Sequence, residues 1–195
     1  MDRILVVCTA NQCRSPVAGA FLSRHAAERG ADAKVLSAGL LESGNPAVAE
    51  VVALGPALGF DLGSHRSREV TDELIASAEL IIGLTRRHVR ELAVANRAAW
   101  PRTFTLRELV REGSRLGPRL ESLSLADWIA PLHEARTPSD LLGADPLDDV
   151  ADPMGGPPEG YEEMARDLAD LTNRLADLLW PEEEVKKPEP ADFKR

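Results

Sequence analysis

The chain has 195 residues, a formal net charge of −9 and 44% hydrophobic residues. This length and apolar content suit one domain with a true hydrophobic core. The negative charge argues against a nucleic-acid partner, and no apolar run approaches the ~20 residues that a membrane span requires. Because the sequence starts directly with a strand pattern and shows no secretory signal, we expect a cytoplasmic protein.

Apolar segments alternate with helical patterns along the chain, which predicts an α/β fold with a parallel sheet. The predicted strands cover residues 3–8, 33–37, 79–84 and 102–106. The predicted helices cover residues 15–29, 46–58, a turn from 71 to 74, 86–95, and a last helix with Met164, Leu168, Leu171, Leu175 and Leu178 on one face. The order of these elements predicts a four-stranded parallel sheet with helices on both faces.

Capping residues predict where the helices begin and end. Ser15 is a good N-cap for the first helix, with Pro16 at its first position, and Gly30 suits its end. Gly59 would end the second helix in the same way. Pro56 lies inside that helix and predicts a kink or an earlier end.

The region between the fourth strand and the last helix is harder to assign. Residues 107–150 contain several leucines, Trp128 and repeated Gly or Pro residues, which predicts one or two short helices in an insertion. We therefore interpret residues 1–180 as one domain with an insertion at 107–150. The charged, proline-rich tail at 181–195 is predicted to be disordered.

The charge is distributed unevenly along the chain. Residues 86–119 hold nine arginines and three acids, whereas residues 140–170 hold ten acids and one arginine. Charge runs of this kind usually form solvated faces of opposite sign. The alternative is a basic surface that docks an acidic partner.

The most informative segment is the loop at residues 8–16, with the sequence CTANQCRSP, which joins the first strand to the first helix. Backbone N–H groups of such a loop, together with the positive end of the helix, bind a tetrahedral oxyanion. Arg14 can hold two anion oxygens as a fork. The same field favours the thiolate of Cys8, a nucleophile aimed at phosphorus. Asn11 suits the left-handed backbone that such a cradle needs.

Cys8 and Cys13 are the only cysteines, so the chain has no disulfide framework. In a reducing compartment both stay thiols, although a tight loop can bring them near enough for a transient disulfide. The four histidines have no metal-ligand spacing. The sequence therefore predicts neither a metal nor another cofactor.

Placed directly after the first strand, this loop resembles the phosphate-binding loop of the low-molecular-weight protein tyrosine phosphatases. The resemblance covers most of residues 3–106 and 150–180, and it includes Ser37-Ala38-Gly39, His65 and a late Asp152-Pro153 pair. It implies a cysteine-dependent phosphatase that needs no metal. Such an enzyme hydrolyses phosphomonoesters, here with protein phosphotyrosine as the expected substrate, through a phosphocysteine intermediate.

The resemblance also implies the catalytic residues. Cys8 would be the nucleophile, Arg14 would bind the phosphate, and Asp152 would protonate the leaving group and then activate water. A second Asp-Pro pair begins at Asp145. We favour Asp152, because the glycines and the last helix that follow it match the layout of the family.

Other positions would bind phosphate or support the loop. By resemblance, Ser37 and His65 would hold Asn11, and Ser15 would stabilise the Cys8 thiolate as well as cap the helix. Cys13 matches a family cysteine that protects the nucleophile by a reversible disulfide, and simple packing is the alternative. The implied phosphate-binding set is Thr9, Ala10, Asn11, Gln12, Cys13, Arg14 and Ser15.

The sequence departs from the family where an aromatic side chain usually lines the cleft. Met154 and Gly155 follow the Asp152-Pro153 pair, so Trp128 or another residue of the 107–150 segment would have to supply that wall. Two other functions stay open: a phosphate- or phosphoprotein-binding module without turnover, and a thiol-linked arsenate reductase. The expected partner is a phosphorylated protein or a small phosphoester, with no nucleic acid or membrane, and a dimer is left open.

Overall fold

A computed structural model describes residues 1–41 and 43–182. Within this range the strands are β1 (Asp2–Cys8), β2 (Ala33–Gly39), β3 (Leu80–Gly83) and β4 (Thr103–Thr105). The α-helices are α1 (Arg14–Glu28), α2 (Ala49–Leu58), α3 (Asp72–Ser77), α4 (Arg86–Ala95), α5 (Leu106–Leu116), α6 (Leu125–Glu134) and α7 (Pro158–Leu179). Short 3₁₀ turns cover Arg97–Arg102 and Pro138–Leu141. Most of the tail predicted to be disordered, residues 183–195, lies outside the described residues.

The strands form one parallel sheet in the order β2-β1-β3-β4, as the sequence predicts. β1 pairs along its length with β2, from Asp2 opposite Ala33 to Cys8 opposite Gly39, and on its other side with β3. The carboxyl end of β1 therefore lies where the sheet order reverses. Ligands of open α/β sheets bind in the crevice at such a point.

Alternate residues of β1 face opposite sides of the sheet and enter two separate core clusters. Ile4 and Val6 belong to the main cluster, which also takes buried residues from α1, α2, α5, α6 and α7. Leu5 and Val7 pack with Ile75 of α3 and other residues on the second face. Helices thus cover both faces. No helix in residues 1–41 and 43–182 is long and apolar enough to cross a membrane.

The helices that follow β4 pack into the main core. α5 begins with a capping box, in which Thr105 Oγ1 accepts the Glu108 N–H and the Glu108 carboxylate accepts the Thr105 N–H, both at 3.1 Å. From α6, Trp128 is buried beside Gly113 of α5 and donates its indole N–H to the Gly117 carbonyl at 3.0 Å. The segment predicted as an insertion therefore contains two helices that extend the core.

Some helix ends differ from the prediction. α1 begins at Arg14, and its N-cap is Cys13, which makes no side-chain capping bond. The predicted Ser15 cap is wrong, because the Ser15 hydroxyl bonds inside the preceding loop. α2 begins at Ala49 rather than at residue 46, and Pro56 lies within it without ending it. Helix α4 has the predicted bounds.

Candidate active site

The loop at residues 8–16, hereafter the phosphate loop, turns sharply at the carboxyl end of β1. Asn11 has a φ of 52°, and it is the one non-glycine residue with positive φ in the described chain. This is the left-handed backbone that the sequence predicts at Asn11, and asparagine adopts it at lower cost than most residues. The Asn11 N–H points back to Cys8 Sγ at 3.3 Å.

The buried Asn11 side chain fastens the loop to its surroundings. Its Nδ2 donates to Ser15 Oγ and to Ser37 Oγ, both at 2.9 Å, and its Oδ1 accepts the Arg68 N–H at 3.0 Å. His65 Nε2 donates to the Asn11 carbonyl at 2.8 Å. The structure therefore places Ser37 and His65, the predicted supporting residues, directly on Asn11.

The end of β2 fixes the other half of the loop. A Cβ at Gly39 would lie 2.8 Å from backbone atoms of Ala10 and Asn11, so only glycine allows this close approach. The Leu40 and Leu41 N–H groups donate to the Thr9 carbonyl at 2.8 and 3.0 Å. The Val48 N–H, just before α2, donates to the Gln12 carbonyl at 3.0 Å. These contacts hold Thr9, Ala10 and Gln12 in one loop conformation.

Cys8 ends β1 and is buried next to the loop turn. Its Sγ lies 3.0 Å from Ser15 Oγ and accepts the Asn11 N–H. When Cys8 is a thiolate, the Ser15 hydroxyl is the donor, and such charge-assisted hydrogen bonds are stronger than neutral ones. Both contacts bring a donor group to the sulfur of Cys8, and the thiolate is the nucleophilic form of cysteine.

Cys13 is also free and buried, but its setting differs. Burial, assisted by the neighbouring Cys8, raises the pKa of the Cys13 thiol to about 12. Cys13 is therefore a neutral thiol at neutral pH and a poor nucleophile. Its reversible disulfide with Cys8 stays a prediction.

Arg14 joins the phosphate loop to the segment that carries the predicted acid. The Arg14 guanidinium donates to Asp152 Oδ2 at 2.5 Å and to the Val150 carbonyl at 3.2 Å. The Arg14 side chain is buried, whereas that of Asp152 is 45% exposed. Asp145, the other candidate acid, pairs with Arg86 at 3.0 Å. Of the two Asp-Pro pairs, the structure places the one that begins at Asp152 on the phosphate loop.

A buried histidine that the sequence does not single out also contacts the loop. The His88 ring nitrogens hydrogen-bond with Thr9 Oγ1 at 3.0 Å and with Thr85 Oγ1 at 2.9 Å. Burial, and next the positive charge of Arg14, lowers the pKa of His88 to about 3. The ring is therefore neutral, with one nitrogen donating and the other accepting. The sequence carries no signal for this contact, because Thr9 and His88 are 79 positions apart.

The aromatic residues do not take the place that the sequence analysis considered for them. Trp128 is buried in the core between α5 and α6, so the expectation that it supplies the cleft wall is wrong. Tyr161 is 5% exposed, and its hydroxyl lies 4.0 Å from the Met154 sulfur. The exposed apolar side chain next to Asp152 is thus that of Met154.

The two runs of opposite charge pair with each other. Arg86 binds Asp145 and Asp148, and Arg111 binds Asp148 at 2.7 Å. The expectation of two separate solvated faces is wrong for these residues, because they meet across α4, α5 and residues 142–157, hereafter the acid segment. Within the described range, no three His, Cys, Asp or Glu side chains are grouped to hold a metal ion.

Comparison with known proteins agrees with this geometry. The family model for low molecular weight phosphotyrosine protein phosphatases matches residues 3–116. The protein-arginine-phosphatase of Bacillus subtilis is 29% identical over 181 residues, which cover 90% of this chain and 95% of that protein. The probable low molecular weight protein-tyrosine-phosphatase EpsP of Ralstonia solanacearum is 36% identical over 107 residues, covering 54% of this chain and 71% of that protein.

A solved structure gives the same result over most of the fold. It is the YwlE arginine phosphatase, in a mutant with serine in place of cysteine and a phosphorylated active-site serine. It is 28% identical with a TM-score of 0.68, covering 91% of this chain and 94% of that one. Because the family model spans more than half of the sequence, this chain belongs to the low-molecular-weight protein tyrosine phosphatase family and is a phosphate-releasing hydrolase.

Proposed function

We propose that this enzyme removes phosphate from protein side chains with Cys8 as nucleophile, Arg14 as phosphate ligand and Asp152 as acid and base. The observation that carries the proposal is the contact of Asp152 with Arg14, which follows the turn of the same loop that begins at Cys8. A phosphate in the loop would take the Arg14 donors and free Asp152 for proton transfer. The cytoplasm is the location we propose.

The reaction follows from these positions in two steps. In the first, the Cys8 thiolate attacks phosphorus, the bond to the leaving group breaks, and Asp152 gives that group a proton. The loop N–H groups and Arg14 stabilise the charge on the equatorial oxygens. In the second, Asp152 takes a proton from water, the water oxygen attacks phosphorus, and the sulfur–phosphorus bond breaks to return the thiolate.

We favour phosphoarginine as the substrate, although the sequence predicts phosphotyrosine. Met154 and Gly155 offer no ring to stack on a tyrosine, and Trp128 and Tyr161 are buried. The relative from Bacillus subtilis, which aligns over 95% of its length, is named a protein-arginine-phosphatase. Phosphotyrosine is the second candidate, since the family model and the relative from Ralstonia carry that name.

One assay tests both the proposed phosphatase activity and the proposed substrate. The enzyme is given two peptides that differ only in a phosphoarginine or a phosphotyrosine at one position, and kcat/KM is measured for each. We expect a preference of at least about tenfold for phosphoarginine, equivalent to ~1.4 kcal/mol. Equal values or a preference for phosphotyrosine would overturn the substrate choice while leaving the phosphatase mechanism intact.

Two variants sharpen the assay. Asp152→Asn should lower kcat/KM for either peptide by roughly 10²–10⁴-fold, the usual contribution of a general acid. Met154→Phe should raise kcat/KM for the phosphotyrosine peptide by about two- to tenfold, because a stacked aromatic pair contributes ~0.5–1.5 kcal/mol. If Asp152→Asn keeps the activity of the unmodified enzyme, the assignment of the acid is wrong.

A further inference from the structure

The acid segment has little regular structure of its own to hold it in place. It runs from the 3₁₀ turn that ends at Leu141 to the start of α7 at Pro158. Its Leu142 and Leu147 side chains are exposed, so they contribute little packing. Val150 is buried in the main core, and the turn that precedes it is held by specific polar contacts with the helices beside it.

Arg86 makes several of these contacts from the first position of α4. Its guanidinium binds Asp148 Oδ2 through Nε and Nη2, both at 2.7 Å, and Asp145 Oδ2 at 3.0 Å. Its backbone N–H donates to Asp149 Oδ1 at 2.7 Å. One residue thus bonds with three aspartates of the acid segment.

The Asp148 carboxylate at the centre of this cluster is buried, and both of its oxygens are paired with arginines. Asp148 is 5% exposed, and its second oxygen accepts from Arg111 of α5 at 2.7 Å. Breaking these pairs would leave a buried charge uncompensated, which is strongly destabilising. The Asp149 carboxylate also satisfies an N–H at the start of α4, where negative charge is favoured.

The cluster lies next to the residues that contact Arg14. Asp149 is followed by Val150, whose N–H donates to the Leu84 carbonyl at 2.8 Å and whose carbonyl accepts from Arg14. Asp152 follows two residues later. Three residues span at most about 10 Å of chain, so a shift of the Asp148-Asp149 turn would move the Asp152 carboxylate relative to a phosphate bound in the loop.

We propose that Arg86 is a positioning residue for Asp152, acting through Asp145, Asp148 and Asp149. The inference rests on the proposed role of Asp152 as the acid. Arg86 itself touches neither Arg14 nor Asp152 in the hydrogen bonds and ion pairs of the described residues. Its loss should therefore impair only the steps that need the Asp152 proton.

The leaving group provides the test. Phenol, with a pKa of about 10, needs a proton as it leaves, whereas 2,4-dinitrophenolate leaves without one. The value of kcat/KM is measured for phenyl phosphate and for 2,4-dinitrophenyl phosphate with the full-length enzyme. Arg86→Met should lower kcat/KM for phenyl phosphate by at least about tenfold, part of the contribution of a general acid, and for the dinitrophenyl ester by less than about threefold.

A neighbouring arginine provides the matched control. Arg87 is exposed and pairs with Glu91 on the same helix. Arg87→Met removes the same charge one position away, and we expect no change with either ester. A loss for Arg87→Met equal to that for Arg86→Met would overturn the proposal, because a general effect of charge would then explain the result.

A second variant covers the case that Arg86→Met does not fold. Asp149→Ala removes the bond to the Arg86 N–H and leaves the buried pair of Arg86 with Asp148 intact. A selective loss with phenyl phosphate supports the proposal, and an equal loss with both esters, or no loss, overturns it. Asp152→Asn is run alongside. If Asp152→Asn shows no selectivity between the esters, the proposed acid is wrong whatever Arg86 does.

Discussion

The phosphate loop and the acid segment meet at Arg14, yet different interactions hold them. The loop is fixed by buried hydrogen bonds that converge on Asn11, most of them between neutral groups. The acid segment is held by ion pairs with α4 and α5 and by the buried Val150. The difference suits the two tasks of the proposed mechanism, in which the loop keeps one rigid shape for an oxyanion, whereas Asp152 leaves Arg14 when phosphate binds.

The largest effect is expected at the proposed nucleophile of the phosphate loop. Cys8→Ser should lower turnover by at least about 10³-fold, since a serine hydroxyl here lacks a base to activate it and catalytic groups that act as a unit fail together. Steady-state kinetics with either peptide measures this loss. Cys13→Ser is the matched control and should keep more than about half of the activity. A loss as large as that of Cys8→Ser would contradict the assignment of Cys8 as the nucleophile.

Asn11 tests whether neutral hydrogen bonds hold the loop. Asn11→Ala should lower the free energy of unfolding by about 3 kcal/mol, because buried partners lose their bonds at ~1–3 kcal/mol each and alanine is strained at positive φ. Asn11→Gly loses the same bonds without that strain, and should cost ~1 kcal/mol less. Urea unfolding measures both. Equal stability of the two variants would show that the left-handed backbone at this position carries no cost.

The pH dependence of stability tests whether a neutral His88 helps to hold the phosphate loop. Its pKa is about 3 in the folded protein and about 6.5 in the unfolded chain, so the unfolded state binds the proton first as the pH falls. His88 should therefore make the protein less stable by about 2 kcal/mol between pH 7 and pH 5. Urea unfolding of the unmodified protein and of His88→Gln at both pH values checks this. If the two proteins lose the same stability, His88 does not carry the effect.

The smallest effect is expected for ion pairs on the surface, in contrast with those of the acid segment. Glu162→Gln removes the exposed partner of Arg166 on α7, and we expect a change of less than about 0.5 kcal/mol in the free energy of unfolding. Asp148→Asn, in the buried cluster, should cost several times more. Similar values for both variants would show that burial adds nothing to the hold on the acid segment.

Much of this fold follows from local patterns. The apolar period of the strands, Gly30 and Gly59 at helix ends and the apolar stripe of α7 can be read without tertiary contacts, because each depends on neighbours within a few residues. The loop at residues 8–16 is local in the same sense. Its left-handed Asn11 and its strand-to-helix setting are properties of one short segment.

Other features depend on residues far apart in sequence. Ser15 does not cap α1 because Asn11 and Cys8 use its hydroxyl, and Trp128 does not line the cleft because α6 packs into the core. The pairing of the two charge runs had no sequence signal at all. Composition gives the sign of each run, and only the packing of α4 and α5 against the acid segment decides that they meet.

The α/β class, the phosphate loop and the pair of candidate acids can thus be predicted from the sequence alone. Three features follow only from the packed fold: Asp152 is the acid that reaches Arg14, His88 contacts Thr9, and Arg86 binds three aspartates of the acid segment. The two groups of features differ in the sequence separation of the residues that interact. Hydrogen bonds within a turn are specified by adjacent residues, whereas contacts between residues 60 or more positions apart form only after the sheet and its helices have packed.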